Sequence, residues 1–374
     1  MSLIRNVLMV LVGLVIGVYL SELGITVYQT LKGYDVRTKY QVVESYKGDA
    51  VPAVFPSMFI KSDFTHDNKA ILPLTGISNK TTVYCNEGGE YSIYKSDRYG
   101  FNNPEYIWDN VIDVALIGDS FVHGACVGPT EGVASQLNEM QYRDKEKYGV
   151  LNLGMGGAGP LIEFAILNEY AKYVKPKDVF WFYYEGNDIN GLSVEKESSV
   201  LRKYNEEGYS QNLFDKQEVI DEILSEYILN NTTSALKKNT RTLRLYNTRK
   251  LLASLYASYS SSPVVYSDND YKEFQNMLNI VKTLVNEWGG KLHFVYLPAI
   301  DRYRDNKSDD ENLFGRKIVL NMIKELEIPV VDIHNRVMLK VQDPLQYFPY
   351  KREMHYNAKG YKEVAKTLYE HLKR

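Results

Sequence analysis

The pattern of apolar and polar positions changes sharply near residue 105. Beyond that point come five apolar runs rich in β-branched and aromatic residues, at 111–117, 149–153, 178–184, 291–297 and 328–333. Stretches with helical periodicity separate most of them, for instance LIEFAILNEYAKYV (161–174) and YKEFQNMLNIVKTLVNEW (271–288). Near-continuous apolar strands that alternate with helices predict a five-stranded parallel sheet covered on both faces. The expected fold class is α/β, a three-layer α/β/α sandwich.

The other segments lack this alternation. Residues 29–105 are rich in Tyr, Lys, Asp and Gly and carry turn signals, which predicts an irregular lead-in that wraps the core. Residues 106–374 form the α/β domain. A long polar insert at about 193–262 contains charged, helical-looking stretches. We expect it to be a helical lid beside the edge of the sheet, with its charges on solvated helix faces.

The first 28 residues are far more apolar than the rest. The run at 7–20 has the length of a signal-peptide core, yet no small-x-small cleavage site follows it. Extending it to Tyr28 gives a spanning length that includes one acidic residue, Glu22. An uncleaved N-terminal membrane anchor is favoured over a cleaved signal or a buried helix of a soluble domain.

The flanking charges bear on orientation and compartment. Arg5 and the free amine favour a cytoplasmic N-terminus and an extracytoplasmic domain, periplasmic or lumenal, although Lys32, Arg37 and Lys39 on the far side oppose that orientation. Cys85 and Cys126 are the two cysteines. They either form a disulfide in an exported domain or remain two thiols, and spacing alone leaves both open. The net charge of −3 gives no reason to expect nucleic acid as a partner.

Polar residues cluster where the expected strands end, the edge at which open α/β sheets bind ligands. GDSFVHG (118–124) follows the first strand, a glycine-rich loop the second, EGND (185–188) the third, and REMHYNAKGY (352–361) precedes the last helix. These segments offer a serine, a glycine turn, an asparagine and a histidine to one crevice. Together they have the parts needed for acyl transfer: a nucleophile, a base and oxyanion donors.

The glycine loop has a second interpretation. Gly154, Gly156 and Gly159 stand in the G-x-G-x-x-G spacing of a dinucleotide-binding turn, and Glu185 could serve as its ribose ligand. In the usual fingerprint, however, this loop follows the first strand of the unit, a place that GDSF occupies here. A nicotinamide-dependent oxidoreductase is therefore the weaker hypothesis.

Four of these blocks, in this order, resemble the SGNH (GDSL-type) hydrolases. They are GDSF (118–121), the glycine of the second block, GND (186–188), and the C-terminal histidine before N-x-x-G-Y. SDRYGFNNPE (96–105) also resembles the lead-in of exported, membrane-anchored members. The resemblance spans about residues 96–374. It implies a flavodoxin-like sheet and a Ser-His esterase or acyltransferase site without a metal or organic cofactor.

The resemblance implies a role for each matching residue. Ser120 corresponds to the nucleophile and its backbone N–H to the first oxyanion donor, while Gly157 and Asn187 correspond to the other two donors. Each has a simpler alternative, because Ser is a common helix N-cap and Asn a common turn residue. Asp119, Asp188 and His123 are expected as supporting residues, with Asp188 buttressing the turn and His123 lining the pocket.

The general base matches the family pattern, but its acid partner does not. His355 corresponds to the general base, with His334 as the best rival. The family's usual aspartate position, three residues earlier, holds Arg352, which cannot orient an imidazolium as a carboxylate does. Either Glu353 supplies the third member, or His355 is held by a backbone carbonyl in a Ser-His dyad.

These residues leave three functions open. The first is a membrane-anchored serine esterase that removes O-acyl groups, acetyl foremost, from a small molecule or a cell-surface glycan. The second is an O-acyltransferase on the same Ser-His site. The third is a catalytically weak glycan-binding or assembly protein, which Arg352 at the acid position keeps open.

Overall fold

A computed structural model gives the fold of most of the chain. The residues it describes are 2–45, 53–54, 64–143, 149–237, 245, 248–249, 252, 266–304 and 307–373. Most of the C-terminal half of the expected lid, from 238 to 265, therefore lies outside the described residues.

The core of the molecule is a five-stranded sheet. Its strands are β1 (Ile112–Gly118), β2 (Gly149–Gly154), β3 (Asp178–Tyr184), β4 (Lys291–Leu297) and β5 (Val330–Asp332). They lie side by side in the order β5-β4-β3-β1-β2, and every neighbouring pair is parallel. This is the flavodoxin-like order. The expected fold class is confirmed, with strand bounds shifted by one or two residues at several ends.

Helices cover both faces of the sheet. The helices of the described residues, in chain order, are α1 (Ser2–Leu31), α2 (Lys39–Ser45), α3 (Ser120–His123), α4 (Val133–Arg143), α5 (Pro160–Ile166), α6 (Asp188–Glu195), α7 (Gln217–Lys237), α8 (Asp268–Glu287), α9 (Arg316–Glu325) and α10 (Ala358–Leu372). Helices α5, α8 and α9 contribute to the apolar core on one face, and α3, α4 and α10 to the core on the other. The strands are buried on both sides, as their continuous apolar runs require.

Shorter elements connect these layers. The short strands outside the central sheet are Ala53–Val54, Thr65–His66, Lys69–Ala70, Thr81–Val83 and Ile93–Lys95. Helix α5 continues through a π-helical stretch, Leu167–Ala171, into Lys172–Val174, and single helical turns occupy Asp301–Arg304 and Ile333–Arg336. The 3₁₀ turns are Glu105–Asp109, Leu201–Asn205, Leu213–Asp215, Leu313–Gly315, Met338–Lys340, Pro344–Tyr347 and Pro349–Lys351.

Helix α1 is one uninterrupted apolar helix that projects from the domain. Residues 3–31 are long and apolar enough to cross a membrane, and their most apolar 18-residue stretch, with a mean hydropathy of 2.3, is not buried in the protein. Glu22 is the exception, because it is buried and its carboxylate accepts hydrogen bonds from the backbone N and the hydroxyl of Thr248. A residue of the polar insert therefore lies beside the apolar helix.

The described part of the insert packs on the lead-in and on helix α5. Glu169, fully buried on the continuation of α5, accepts hydrogen bonds from Tyr204, Ser210 and two backbone amides of the insert. Asp221 of α7 accepts hydrogen bonds from the backbone and side chain of Ser78 in the lead-in. These contacts fix residues 204–221 to the domain.

Candidate active site

The ends of β1, β2 and β3 bring three of the expected blocks together. Gly118 pairs with Gly154 at the carboxyl ends of β1 and β2, and β3 runs beside β1 on its other side. The strand order reverses between β1 and β3, which is where flavodoxin-like sheets place their ligand crevice. Ser120 and Asn187 follow these two strands, so both lie at this switch point.

Asp119 sets the conformation of the turn that presents Ser120. It is the N-cap of helix α3, and its Oδ1 accepts a hydrogen bond from the backbone N of Phe121 at 2.9 Å. Its Oδ2 accepts a second one from the Asn187 side-chain amide at 3.3 Å. Burial raises the pKa of Asp119, and these hydrogen bonds and nearby His355 oppose the rise. Asp119 thus joins the first and third blocks.

Ser120 and His355 form a hydrogen-bonded pair across 235 residues of sequence. The Ser120 hydroxyl donates to His355 Nε2 at 2.8 Å, and both residues are largely buried, at 9% and 8% exposure. His355 stands just before Asn357, the N-cap of helix α10, whose side chain accepts from Gly360 N. This is the contact that a base needs in order to take the proton of a nucleophilic hydroxyl.

A carboxylate from the lead-in holds the other side of His355. His355 Nδ1 donates to Glu87 Oε1 at 2.8 Å, and the His355 backbone N donates to Glu87 Oε2 at 3.0 Å. A proton held on Nδ1 leaves the lone pair of Nε2 free to accept from Ser120. The structure therefore assembles a serine, a histidine and a glutamate in hydrogen-bonded series.

Glu87, not Glu353, is the carboxylate at His355. Glu353 instead lies near its neighbour, with Oε1 3.5 Å from Arg352 Nε. The expectation that the acid stands two residues before the histidine is thus corrected, as is the dyad alternative. Glu87 was missed because it belongs to no expected block and precedes His355 by 268 residues. The nearby sequence feature that could have indicated this region was Cys85, two residues before Glu87, as a candidate disulfide partner.

A disulfide brings the lead-in to the serine helix. Cys85 and Cys126 are bonded, which is the first of the two alternatives left open by the sequence. Cys126 follows helix α3 by three residues, and its sulfur lies 3.9 Å from His355 Nδ1. The bond therefore ties the backbone beside Glu87 to the backbone beside Ser120.

Two of the expected oxyanion donors, Gly157 and Asn187, follow β2 and β3, the strands on either side of β1. Gly157 is exposed at the turn after β2 and has a φ of +82°, a left-handed conformation that favours glycine. Asn187 sits at the start of α6 and reaches Asp119 as described. Asp188 Oδ2 accepts a hydrogen bond from the backbone N of Tyr184, the last residue of β3.

The start of helix α5, where a dinucleotide would place its phosphates, is already occupied. The carboxylate of Glu195 accepts hydrogen bonds from the backbone N of Gly159, Leu161 and Ile162, at 2.6, 2.8 and 3.3 Å. Glu195 is buried, and burial raises its pKa to about 8. Since these are the amides that would bind a pyrophosphate, the glycine loop does not form a nucleotide site in this structure.

The remaining histidines have other surroundings. His123 is fully buried between the rings of Tyr84 and Tyr94, so it does not line the pocket as expected, and burial lowers its pKa to about 4. His334, the rival base, is buried with Nδ1 2.7 Å from the Tyr303 hydroxyl. His293 and His371 contact each other, and His293 also contacts Asp178, at the far end of β3 from Ser120.

Three groups in the site have the spacing of metal ligands. Among the described residues, ligand atoms of Glu87, Cys126 and His355 all lie within 4.8 Å of one another. Cys126 offers no thiolate, because its sulfur is bonded to Cys85. The cluster fits a hydrogen-bonded carboxylate and histidine beside a disulfide better than it fits a cation.

Fold and site together define a flavodoxin-like α/β sandwich with a serine–histidine–carboxylate series at its switch point. No protein-family model and no curated protein matches the chain. Among solved structures, it is similar to a lipase/acylhydrolase from Enterococcus faecalis, at 13% identity and a TM-score of 0.41 over 70% of this chain and 95% of that one. It is also similar to an acetyl xylan esterase, at 13% identity and a TM-score of 0.40 over 70% and 100% of the two chains.

A third similar structure is the esterase EstA from Pseudoalteromonas sp., at 9% identity and a TM-score of 0.36 over 70% of this chain and 96% of that one. Similarities this low do not indicate a function for this chain.

Proposed function

We propose that this protein is a serine esterase of the SGNH type that hydrolyses O-acyl esters. The observation that carries the proposal is the series Ser120 Oγ, His355 and Glu87, joined by two contacts of 2.8 Å each. This is the arrangement of an activated nucleophile, with a base in hydrogen-bond reach and a third group that orients the base. The four ordered sequence blocks support the same assignment.

The chemistry follows from the protonation state of His355. Ser120 Oγ attacks the ester carbonyl carbon while its proton passes to Nε2, and Glu87 stabilises the resulting imidazolium. Nε2 then gives the proton to the leaving alkoxide oxygen as the carbon–oxygen bond breaks, which leaves an acyl-serine. Water attacks this ester, again losing a proton to Nε2. The Ser120 oxygen regains that proton, and a carboxylic acid is released.

The oxyanion formed at each step needs donors. The backbone N–H groups of Ser120 and Gly157 and the side-chain amide of Asn187 are the proposed set. Ser120 stands at the first position of helix α3, where backbone N–H groups lack partners within the helix. Because Ser120 is only 9% exposed, we favour a short acyl group such as acetyl over a long chain.

The proposed location is extracytoplasmic, with helix α1 as a membrane anchor. The Cys85–Cys126 disulfide supports it, since disulfides persist in oxidising compartments. An acetylated cell-surface glycan is the proposed substrate class for an enzyme in that position.

The test is ester hydrolysis by the full-length chain in detergent, with p-nitrophenyl acetate and with an acetylated oligosaccharide. We expect release of acetate that Ser120→Ala abolishes, and slower release from longer acyl chains. With a non-acetylated oligosaccharide present, release of free acid alone identifies an esterase, whereas acetyl transfer to the sugar identifies a transferase. Binding of the oligosaccharide without any ester cleavage would contradict both.

A further inference from the structure

The loop that carries Glu87 is held by the residues that follow the apolar helix. We define residues 85–91 as the acid loop and residues 34–37 as the linker segment, which begins three residues after helix α1 ends. The backbone N of Asp35 donates to Gly89 O at 2.6 Å, and the Asn86 side-chain amide donates to Asp35 O at 3.1 Å. The Tyr91 hydroxyl donates to Arg37 O at 2.9 Å. Three hydrogen bonds thus join the two segments.

An aromatic stack adds a fourth connection. The rings of Tyr34 and Tyr350 are stacked with centroids 5.1 Å apart, and the Tyr350 hydroxyl donates to Gly88 O at 2.8 Å. Gly89 fits closely beneath them, because a Cβ there would lie 2.8 Å from the Tyr350 hydroxyl and 3.5 Å from the Tyr34 ring. The stack therefore contacts the backbone of Gly88 and Gly89, directly after Glu87.

A cavity lies against this side of the acid loop. It has a volume of about 700 Å³ and adjoins Gly88 and Gly89, and Tyr34, Tyr350 and Cys126 also line it. We expect that removing one of the contacts to the linker segment lets the loop move toward this cavity.

Glu87 can move little without losing a hydrogen bond, because its two carboxylate oxygens accept from Nδ1 and from the backbone N of the same histidine, His355. Active-site groups need to be held within about 0.5 Å of their productive geometry. We infer that the linker segment is a positioning element for Glu87, so that the residues beside the apolar helix belong to the catalytic apparatus. The kinetic consequence rests on the proposed esterase function; the structural coupling does not.

The first test compares Tyr34→Ala with wild type as full-length chains in the same detergent. We expect kcat for p-nitrophenyl acetate to fall on the order of 10- to 100-fold with KM within about twofold, because a misplaced catalytic group slows chemistry more than binding. Tyr34→Phe keeps the stacked ring and should retain most of the activity. Tyr142→Ala, a strongly exposed tyrosine on α4, is the matched control and should behave as wild type.

A double variant separates positioning from general destabilisation. In a Glu87→Gln background, Tyr34→Ala should change kcat by no more than about twofold, because the group that it positions is already gone. Losses that multiply in the double variant, or a wild-type kcat in Tyr34→Ala, would overturn the inference. Should Tyr34→Ala fold poorly, Tyr350→Phe removes the hydroxyl that contacts Gly88 and Tyr34 while keeping the stacked ring, and it is expected to lower kcat several-fold.

Hydrogen–deuterium exchange tests the same coupling without an activity measurement. The His355 amide donates to Glu87 Oε2, so Tyr34→Ala should speed its exchange and leave that of the β3 amides unchanged. Unchanged exchange at His355 would overturn the inference. Faster exchange in a protein that shows no ester cleavage even as wild type would support the coupling while contradicting the proposed function.

Discussion

At the scale of single residues, the two oxygens of Glu87 have different effects on His355. Oε1 accepts the Nδ1 proton and selects the tautomer that leaves Nε2 facing Ser120. Oε2 accepts a hydrogen bond from the His355 backbone N and so holds the backbone of the histidine in place. A glutamine at this position could keep part of the geometry but would lack the negative charge that stabilises an imidazolium.

Glu87→Gln is therefore expected to lower kcat on the order of 10³- to 10⁴-fold, as loss of the orienting carboxylate does in serine hydrolases. The matched control is Glu353→Gln, which changes the carboxylate nearest to His355 in sequence and should stay within about twofold of wild type. Steady-state hydrolysis of p-nitrophenyl acetate measures both. A larger loss in Glu353→Gln than in Glu87→Gln would contradict the assignment.

His123 gives a prediction for stability instead of activity. Its pKa is lowered to about 4 by burial, so the folded protein keeps it neutral where the unfolded chain, with an ordinary pKa near 6.5, takes up a proton. Its contribution to the free energy of unfolding is complete above pH 6.5 and is lost as the pH falls toward 4.

His123→Phe keeps a ring between Tyr84 and Tyr94 but cannot be protonated. The free energy of unfolding of wild type should thus fall relative to that of the variant between pH 6.5 and 4, by at most about 3 kcal/mol. His334, whose pKa burial also lowers to about 4, is present in both proteins and cancels in the comparison. Urea unfolding across this range measures the difference, and a pH-independent difference would be contrary to the account.

At the scale of elements, the disulfide and the acid loop act together. The bond closes 41 residues of chain and fixes Cys85, two residues before Glu87, beside the end of helix α3. Loop closure of this length stabilises a folded protein by about 4 kcal/mol in the chain-entropy model. It also limits how far Glu87 can move from His355.

Replacing both cysteines by serine should therefore lower the melting temperature and reduce kcat about tenfold or more. Ser120→Ala with the disulfide intact is the control that loses activity without losing stability. Differential scanning fluorimetry and ester hydrolysis, each with and without dithiothreitol, measure the two effects. Full activity in the reduced protein would show that the bond has no part in placing Glu87.

The elements differ in how far the sequence predicts them. The strands and the serine block were predictable, because burial on both faces makes each strand continuously apolar and Ser120 follows its strand directly. Glu87 was not, because its position depends on a disulfide, on the linker segment and on Tyr350, which are distant in sequence. The insert's contacts through Glu169 could not be predicted from the sequence either, because a glutamate in the sequence suggests an exposed charge, whereas Glu169 is buried.

At the scale of the whole molecule, the apolar helix is followed closely in the chain by the linker segment that contacts the acid loop. The linker segment begins three residues after the end of α1, a distance of at most about 11 Å in extended chain. With α1 in a membrane, the acid loop would lie near its surface. An acyl ester attached to the membrane or to a glycan beside it would be within reach.

The anchor makes a direct prediction. The full-length protein should remain in the membrane fraction after washing with alkaline carbonate, and N-terminal sequencing should find residues 1–28 still attached. Protease added to intact spheroplasts should degrade the domain if it faces outward. Release by carbonate, or a mature chain that begins after residue 28, would contradict the anchor and favour a cleaved signal.

The central claim is that Ser120 is a nucleophile activated by His355, and a fluorophosphonate probe tests it most directly. Intact-mass measurement of the full-length protein should show one covalent adduct, and peptide mapping should place it on Ser120. Ser120→Ala should show none, and His355→Ala should react far more slowly. An unmodified wild-type protein, or labelling that persists in Ser120→Ala, would contradict the account.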